Sequence, residues 1–588
     1  MNALEAASLV MIPSGYEDGT LGSLKPIDGS GDFTFSRGSN LSATRVKEDG
    51  YIEKGYENLL LQSNQFDTTW TQSAVSVTSG QSGYDGTNNA WLQSKTSGSY
   101  VNIAQSIAIS GVWTLSIYAK ANTLDSITFR NQTDGSDCDF DLTNGTTSTY
   151  TTIASSINLI SNGWYRCSAT FSGSTTQIAV YLGFGNSTAG SVFIQDAQLN
   201  QGLVALPYVE SGATNGLGGL LENDPRIDFT GGGCGSLLLE PSRTNELANS
   251  EYFEAGTLSN ATLSLSGTSI ENVTNAYALT ENTANAEHYW ISERMTTATN
   301  NNLVSTIFVK PNGRTKIKLW NYHLANQLAL VDIDLTTNTT SNGGGTNVTF
   351  VSANVTDYSN GWKRVEIQSI KSASTYAYGI RVTLLDDNGS DVYAGDGTSG
   401  VLIYGAQMEQ NVTYKTSYIP TYGVSQTRAD EVCGGAGDAA TFNDSEGVFY
   451  AEISTNTDNT DKALSINNSI SGGSNSRLWM GYSTTGKRVY ALGYVNNSIQ
   501  FALSKLMTDE SVFVKIACKY ALNDVSFFVN GEKVGTDTSA LEFIGLNSLD
   551  FNIGTGAGSG AAFYGKAKQV LVFKQALSDS ELAALTTI

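Results

Sequence analysis

The chain repeats itself, and a repeat restricts the fold more tightly than any composition does. Five blocks recur in the same order. Asn58 to Phe66 aligns with Asn245 to Phe253, and Leu115 to Asn122 with Ser305 to Asn312. Asp139 to Leu142 aligns with Asp332 to Leu335, Asn162 to Arg166 with Asn360 to Arg364, and Phe193 to Leu199 with Leu402 to Met408. Two copies of one module follow. The blocks read as strands. Trp113 to Tyr118 alternates apolar and polar residues, which gives one buried and one wet face. Asn162-Gly163 and Asn360-Gly361 precede the repeated tryptophans, and both residue types tolerate positive φ in a turn. Helix-period stretches are nearly absent. The expected fold is all-β, with each copy a jelly-roll β-sandwich.

At 588 residues, about 100–200 per domain leaves room for three to five domains. The repeat places a lead-in at 1–57, a first jelly roll at 58–209, a connector at 210–244 and a second jelly roll at 245–423. A third domain, 424–588, contains the strands Glu446 to Ile453, Asp524 to Val529 and Lys568 to Phe573. Asn530-Gly531 is a hairpin signal. Ser578 with Glu581 is a capping box, which predicts a helix over about 579–586.

Charge and residue counts exclude much chemistry. Lys and Arg total 33 against 55 acids, a net charge of −22, so a phosphate backbone is repelled and no nucleic-acid partner is expected. The two histidines, His288 and His323, form no zinc-helix motif and sit beside no nucleophile motif. Cys138, Cys167, Cys234, Cys433 and Cys518 are odd in number and widely spaced, so isolated buried thiols are expected rather than a disulfide framework. That suits assembly in a reducing cytoplasm. The Gly231-Gly232-Gly233 run lacks a Walker lysine and opens no helix, so it is not a phosphate loop. No apolar run is long enough to span a bilayer, and the first residues lack a basic, then apolar, signal pattern.

Several phrases carry a resemblance. The Asn-Gly-Trp-Tyr/Lys-Arg strand, the Asp-x-Asp-Leu strand, the closing Ala-Gln-Leu/Met block and the exit Thr416 to Thr421 are similar to carbohydrate-binding jelly rolls of phage virion proteins and bacterial glycanases. Phe528 to Glu532, Gly565 to Phe573 and Ala576 to Leu582 resemble laminin-G/concanavalin-like lectin sandwiches. The lead-in phrases Asp32 to Gly38, Ala43 to Val46 and Arg226 to Cys234 resemble segments of phage tail-fibre and spike proteins. Where the jelly-roll family reads Tyr-Ile-Trp-Gly, the copies here read Phe193-Ile194-Gln195-Asp196 and Leu402-Ile403-Tyr404-Gly405. The resemblance implies a fibre, spike or capsid-decorating protein on the virion surface, a homotrimer that binds host-surface polysaccharide without catalysis. Residues 1–30, outside the repeats, are the expected attachment to other virion proteins and would order only on docking. Two other readings stay open: a structural virion protein whose jelly rolls bind neighbouring subunits, and the accessory portion of a glycan-degrading system.

Sugar recognition uses flat aromatic faces with amides and carboxylates around them. Trp164 and Trp362 share one repeat position and are expected in the core. Trp290 falls opposite the polar Asn102 in the repeat alignment, and Trp320, Tyr322 and Lys318 share one strand phase. Trp290, Trp320, Tyr322 and His288 are therefore the expected glycan contacts, against packing as the competing role. Asp386, Asp387 and Asp391 offer oxygen ligands for a structural calcium, although the spacing is not an EF-hand and a plain polar hairpin loop is the favoured reading. No other cofactor is expected, and no motif marks a catalytic carboxylate pair, so no enzyme activity is expected.

Overall fold

Asn58 and Asn245, the first residues of the first repeated block, each close a sandwich. The Asn58 amide donates to the carbonyls of Ala197 and Val209, both at 3.0 Å, and its oxygen accepts from Leu199 and Leu60. Asn245 does the same with Ala406, Ile419, Met408 and Leu247. A buried amide with its whole hydrogen-bonding capacity met pins entry, last strand and exit together. This is why the blocks recur as a set.

These contacts come from a computed structural model. It describes residues 3–588 apart from 18, 40, 297–301, 325–326, 372–376, 457–460, 471–474, 484–486 and 552–561. The chain is all-β, and the first module packs two six-stranded antiparallel sheets face to face. In one sheet Trp164–Ser172, Val112–Ala121, Gly190–Gln201 and Ala90–Lys95 lie side by side. In the second module Lys363–Lys371, Asn302–Asn312, Gly400–Gln410 and Ala276–Glu281 lie in the same order. Alternation fills each interior: Ile178, Val180 and Leu182 point into the first core, and Ile380, Val382 and Leu384 into the second. The Asn162-Gly163 and Asn360-Gly361 turns both take positive φ, 48° and 80°, then 57° and 76°. Trp164 and Trp362 are buried. Trp362 lies outside the sandwich interior, under a cover of Val46 and Ile52 from the lead-in with Phe308, Tyr404 and Tyr418.

The third domain is again a two-sheet sandwich. One sheet runs Gly565–Phe573, Glu446–Ser454, Val514–Ala521, Val525–Val529 and Glu532–Asp537. The other has five strands, with Lys462–Asn467, Arg477–Ser483 and Arg488–Val495 at its centre. The capping box forms at Ser578, and the helix spans Asp579–Thr586.

The lead-in and connector are structural parts of this third domain, not free segments. Leu9–Met11 pairs with Val570 to Val572, and Ser236–Leu239 pairs with Gly565 to Ala567, end to end along one edge of the same strand. Leu9 and Met11 are fully buried in the core of this sandwich. The expectation that residues 1–30 order only on docking is corrected here: an exposed edge strand is a liability, and the chain's own start covers it.

Charges tie the connectors together. Glu431 binds Arg37 at 3.1 Å and Arg226 through a bidentate pair; Arg226 and Arg428 both reach Glu240, at 2.9 and 3.0 Å. All five side chains are buried. Burial alone would raise the Glu240 carboxyl, but Arg428 and Arg226 hold it well below the usual carboxylate range. A second buried knot joins Lys54 to Glu251 at 2.8 Å and Glu271 at 2.9 Å.

Candidate functional site

The four expected glycan contacts separate by strand phase. Tyr289–Ile291 pairs with Ala377–Leu385 so that Tyr289 faces Thr383 and Trp290 faces Val382. In the first module Asn102 faces Tyr181 and Ile103 faces Val180. Trp290 thus corresponds to Ile103 and Tyr289 to Asn102. A one-residue slip in alignment moves a side chain to the opposite face. Trp290 is 1% exposed, packs on Phe253 at 4.7 Å between ring centroids, and donates its indole N–H to the Phe253 carbonyl at 2.8 Å. His288 is also buried, its ring nitrogens 2.7 Å from the Asn260 carbonyl and 3.2 Å from that of Tyr393. Neither residue reaches a binding surface.

Trp320 and Tyr322 do share the outer face of Lys316–Leu324, since Ile317 and Leu319 fill the core. The His323 side chain lies outside the described residues. The Arg381 guanidinium sits 3.8 Å from the Tyr289 ring, 4.7 Å from Trp320 and 5.5 Å from Tyr322. Glu287 anchors Arg381 at 2.9 Å, and the Lys318 ammonium lies 5.7 Å from the Trp320 ring. Trp320 is 8% exposed, so this cluster presents the half-buried Tyr289 and Tyr322 and little of the indole. Lys318 also pairs with Asp391 at 2.5 Å, and the exposed Arg294 lies 5.5 Å from the Tyr322 ring.

That pairing also answers the calcium expectation. Asp386 accepts the backbone N–H groups of Asn388 and Ser390, Asp387 is open to solvent, and Asp391 holds Lys318. The three carboxylates fold a hairpin loop and do not converge. Among the described residues no group of three His, Cys, Asp or Glu side chains is placed to hold a metal ion.

A second outward aromatic face lies in the third domain. Leu478, Met480 and Tyr482 point inward, which turns Arg477 and Trp479 outward; Val489 and Ala491 likewise turn out Tyr490, Leu492 and Tyr494. Arg477 faces Tyr494, and Trp479 faces Leu492, across adjacent strands. Trp479 and Tyr494 rings lie 5.3 Å apart, and both are half-buried. The Arg477 guanidinium lies 4.5 Å from the Trp479 ring and 3.8 Å from the Tyr494 ring. Burial pulls its pKa down, against Tyr494. Asp550, two strands away on this face, is held by Asn467, Ser548 and the Gly435 amide. Sequence reading passes over Trp479, because no repeat marks it. The outward phase of Arg477, Trp479, Tyr490 and Tyr494 is its one sequence signal.

A cavity of about 360 Å³ lies between the connector, the second module and the third domain. In its lining Lys566 pairs with Asp228 at 2.7 Å and Lys415 with Glu366 at 2.8 Å, while Arg364 donates to the Thr306 hydroxyl and the Thr416 carbonyl. The cavity joins parts of the chain.

Two antiparallel sheets with an aromatic outer face make the third domain a lectin-like β-sandwich. Residues 438–583 match the family model of the concanavalin A-like lectin/glucanases superfamily. No curated protein matches the chain. Among solved structures, the chain is similar to the CBM40 of Ruminococcus gnavus IT-sialidase bound to α2,3 sialyllactose. Identity is 23%, over 26% of this chain and 86% of that one, with a TM-score of 0.23. The CBM22-1–CBM22-2 tandem of Paenibacillus barcinonensis Xyn10C is 11% identical over 64% of this chain and 99% of that one, TM-score 0.21. Domains LG4-5 of the mouse laminin α1 chain are 9% identical over 50% and 92%, TM-score 0.17.

Proposed function

We propose that this chain is a non-catalytic glycan-binding protein of a phage particle, with its saccharide site on the Trp479 face of the third domain. One observation carries the site: the sandwich that matches the lectin superfamily turns a half-buried aromatic pair outward, with the buried Arg477 guanidinium against both rings. Half-buried rings give a pyranose its C–H contact surface, and the amides beside them take hydroxyls. Such a site is shallow, so binding gains about 10²–10⁴ when several copies engage one polymer. The virion assignment, at the particle surface and as a homotrimer, rests on the lead-in phrases around Arg37 and Arg226 and their resemblance to fibre and spike segments.

For the two jelly rolls a structural role is the favoured reading, because Trp320 is enclosed by Arg381 and Lys318. The test is an array of bacterial surface polysaccharides probed with the full chain and with Trp479→Ala. Saturable binding that Trp479→Ala removes supports the proposal. Binding that survives Trp479→Ala moves the site, and no binding to a panel containing the host's own polysaccharide overturns it.

A further inference from the structure

Arg477 is satisfied less fully than the other buried arginines. Arg37, Arg226, Arg381 and Arg428 are each paired with a glutamate, and Arg364, which pairs with no carboxylate among the described residues, donates from all three of its nitrogens to Thr306 and Thr416. Arg477 is only 4% exposed, and among the described residues no carboxylate pairs with it. Its Nη1 donates to the neutral amide oxygens of Asn475 and Asn497, the latter at 3.2 Å. Its Nε is buried without a hydrogen-bond partner, and so is the indole N–H of Trp479 beside it. Ring faces on two sides ease the burial of a cation but leave its charge uncompensated. Arg477 differs in its place, on an outward sheet face beside the half-buried rings of Trp479 and Tyr494, where a ligand's anion would complete it.

We infer that the Trp479 face takes saccharides bearing a carboxylate, with the anion held by Arg477 and the sugar ring lying on Trp479. The inference rests on the glycan-binding reading above and names its ligand class. The guanidinium is a planar fork of N–H donors that matches carboxylate geometry, and a buried unpaired donor gains most from an ionised acceptor. A uronic or sialic-type acid supplies both halves, an anion for the guanidinium and a C–H face for the indole. A neutral sugar supplies only the second.

The test compares matched ligands on the full chain by calorimetry: trigalacturonate against its methyl ester, and sialyllactose against lactose. At least one acid should bind more than tenfold tighter than its neutral partner. The two pairs tell a uronic from a sialic-type source. Arg477→Gln should bring that ratio to within about twofold, and Arg477→Lys should retain part of it. Trp479→Ala should weaken acid and neutral ligand alike. Equal binding of acid and neutral forms by the unaltered chain, or a ratio that survives Arg477→Gln, overturns this inference and leaves glycan binding standing. No binding to any of the four ligands overturns this inference, and the polysaccharide array decides the glycan-binding reading separately. The comparison on the unaltered chain decides the matter even where a variant fails to fold.

Discussion

Asp196 and Gly405 occupy the same position in the two jelly rolls, and both hold the left-handed backbone, at φ 53° and 56°. Glycine suits that conformation in the second module, where a Cβ would meet Phe308 at 3.0 Å and Tyr418 at 3.2 Å. In the first module the aspartate is buried and accepts the Tyr84 hydroxyl at 2.8 Å. Burial pushes its carboxyl up to about 6. The unfolded chain loses that proton near pH 4, so between about 4 and 6 the folded chain binds more protons and stability falls as pH rises. Through that window the first module should lose about 2–3 kcal/mol relative to Asp196→Asn. Thermal midpoints of both proteins from pH 4 to 8 check this. A gap that widens with pH is expected, and a constant gap contradicts it.

Glu431 sits between two buried guanidinium groups, those of Arg37 and Arg226. Removing one partner of a buried pair strands the other charge, which costs about 3–5 kcal/mol. Glu431→Gln should lower the unfolding midpoint of the full chain by that amount in denaturant titration. A change under 1 kcal/mol would show that the knot is not a stabilising element.

The start of the chain should behave as core. Leu9→Ala or Met11→Ala should cost about 2–5 kcal/mol, the range for a buried side chain reduced to Ala. Trp479 is the single tryptophan after residue 423, so its fluorescence follows the third domain when the other tryptophans are replaced by Phe. Unchanged unfolding of either variant would return residues 1–30 to the role of a docking arm.

The thiols divide sharply. Cys138, Cys167, Cys433 and Cys518 are buried, and burial pushes each thiol above its ordinary range, Cys138 up to about 12. Cys234 is exposed, after the three left-handed glycines Gly231, Gly232 and Gly233, and so departs from the expectation of five buried thiols. A native protein should therefore take up one equivalent of a thiol reagent per chain, mapped to Cys234 by peptide sequencing. Labelling of two or more sites without denaturant would contradict the packing.

Much of the fold is legible in the repeat. Asn58 and Asn245 recur because each meets the same four backbone groups, and the Asn-Gly turns recur because both residues take positive φ. The site is less legible. Trp290 reads as a surface residue only when Asn102 is its counterpart, and one residue of slip makes it core. Burial of Trp320 under Arg381 depends on a strand more than fifty residues later in the chain, which no local pattern reports. The pairing of Leu9–Met11 with the last strand is the same kind of long-range fact.

The central claim is that saccharide lies on Trp479. Fluorine NMR of the chain labelled with 5-fluorotryptophan tests it directly, since the chain has eight tryptophans and Trp479→Phe assigns the one in question. On titration with a polysaccharide that the array identifies, the Trp479 resonance should shift and saturate while those of Trp290, Trp320 and Trp362 stay in place. A saturating shift at Trp320 with Trp479 unmoved would contradict the claim and place the site on the second jelly roll.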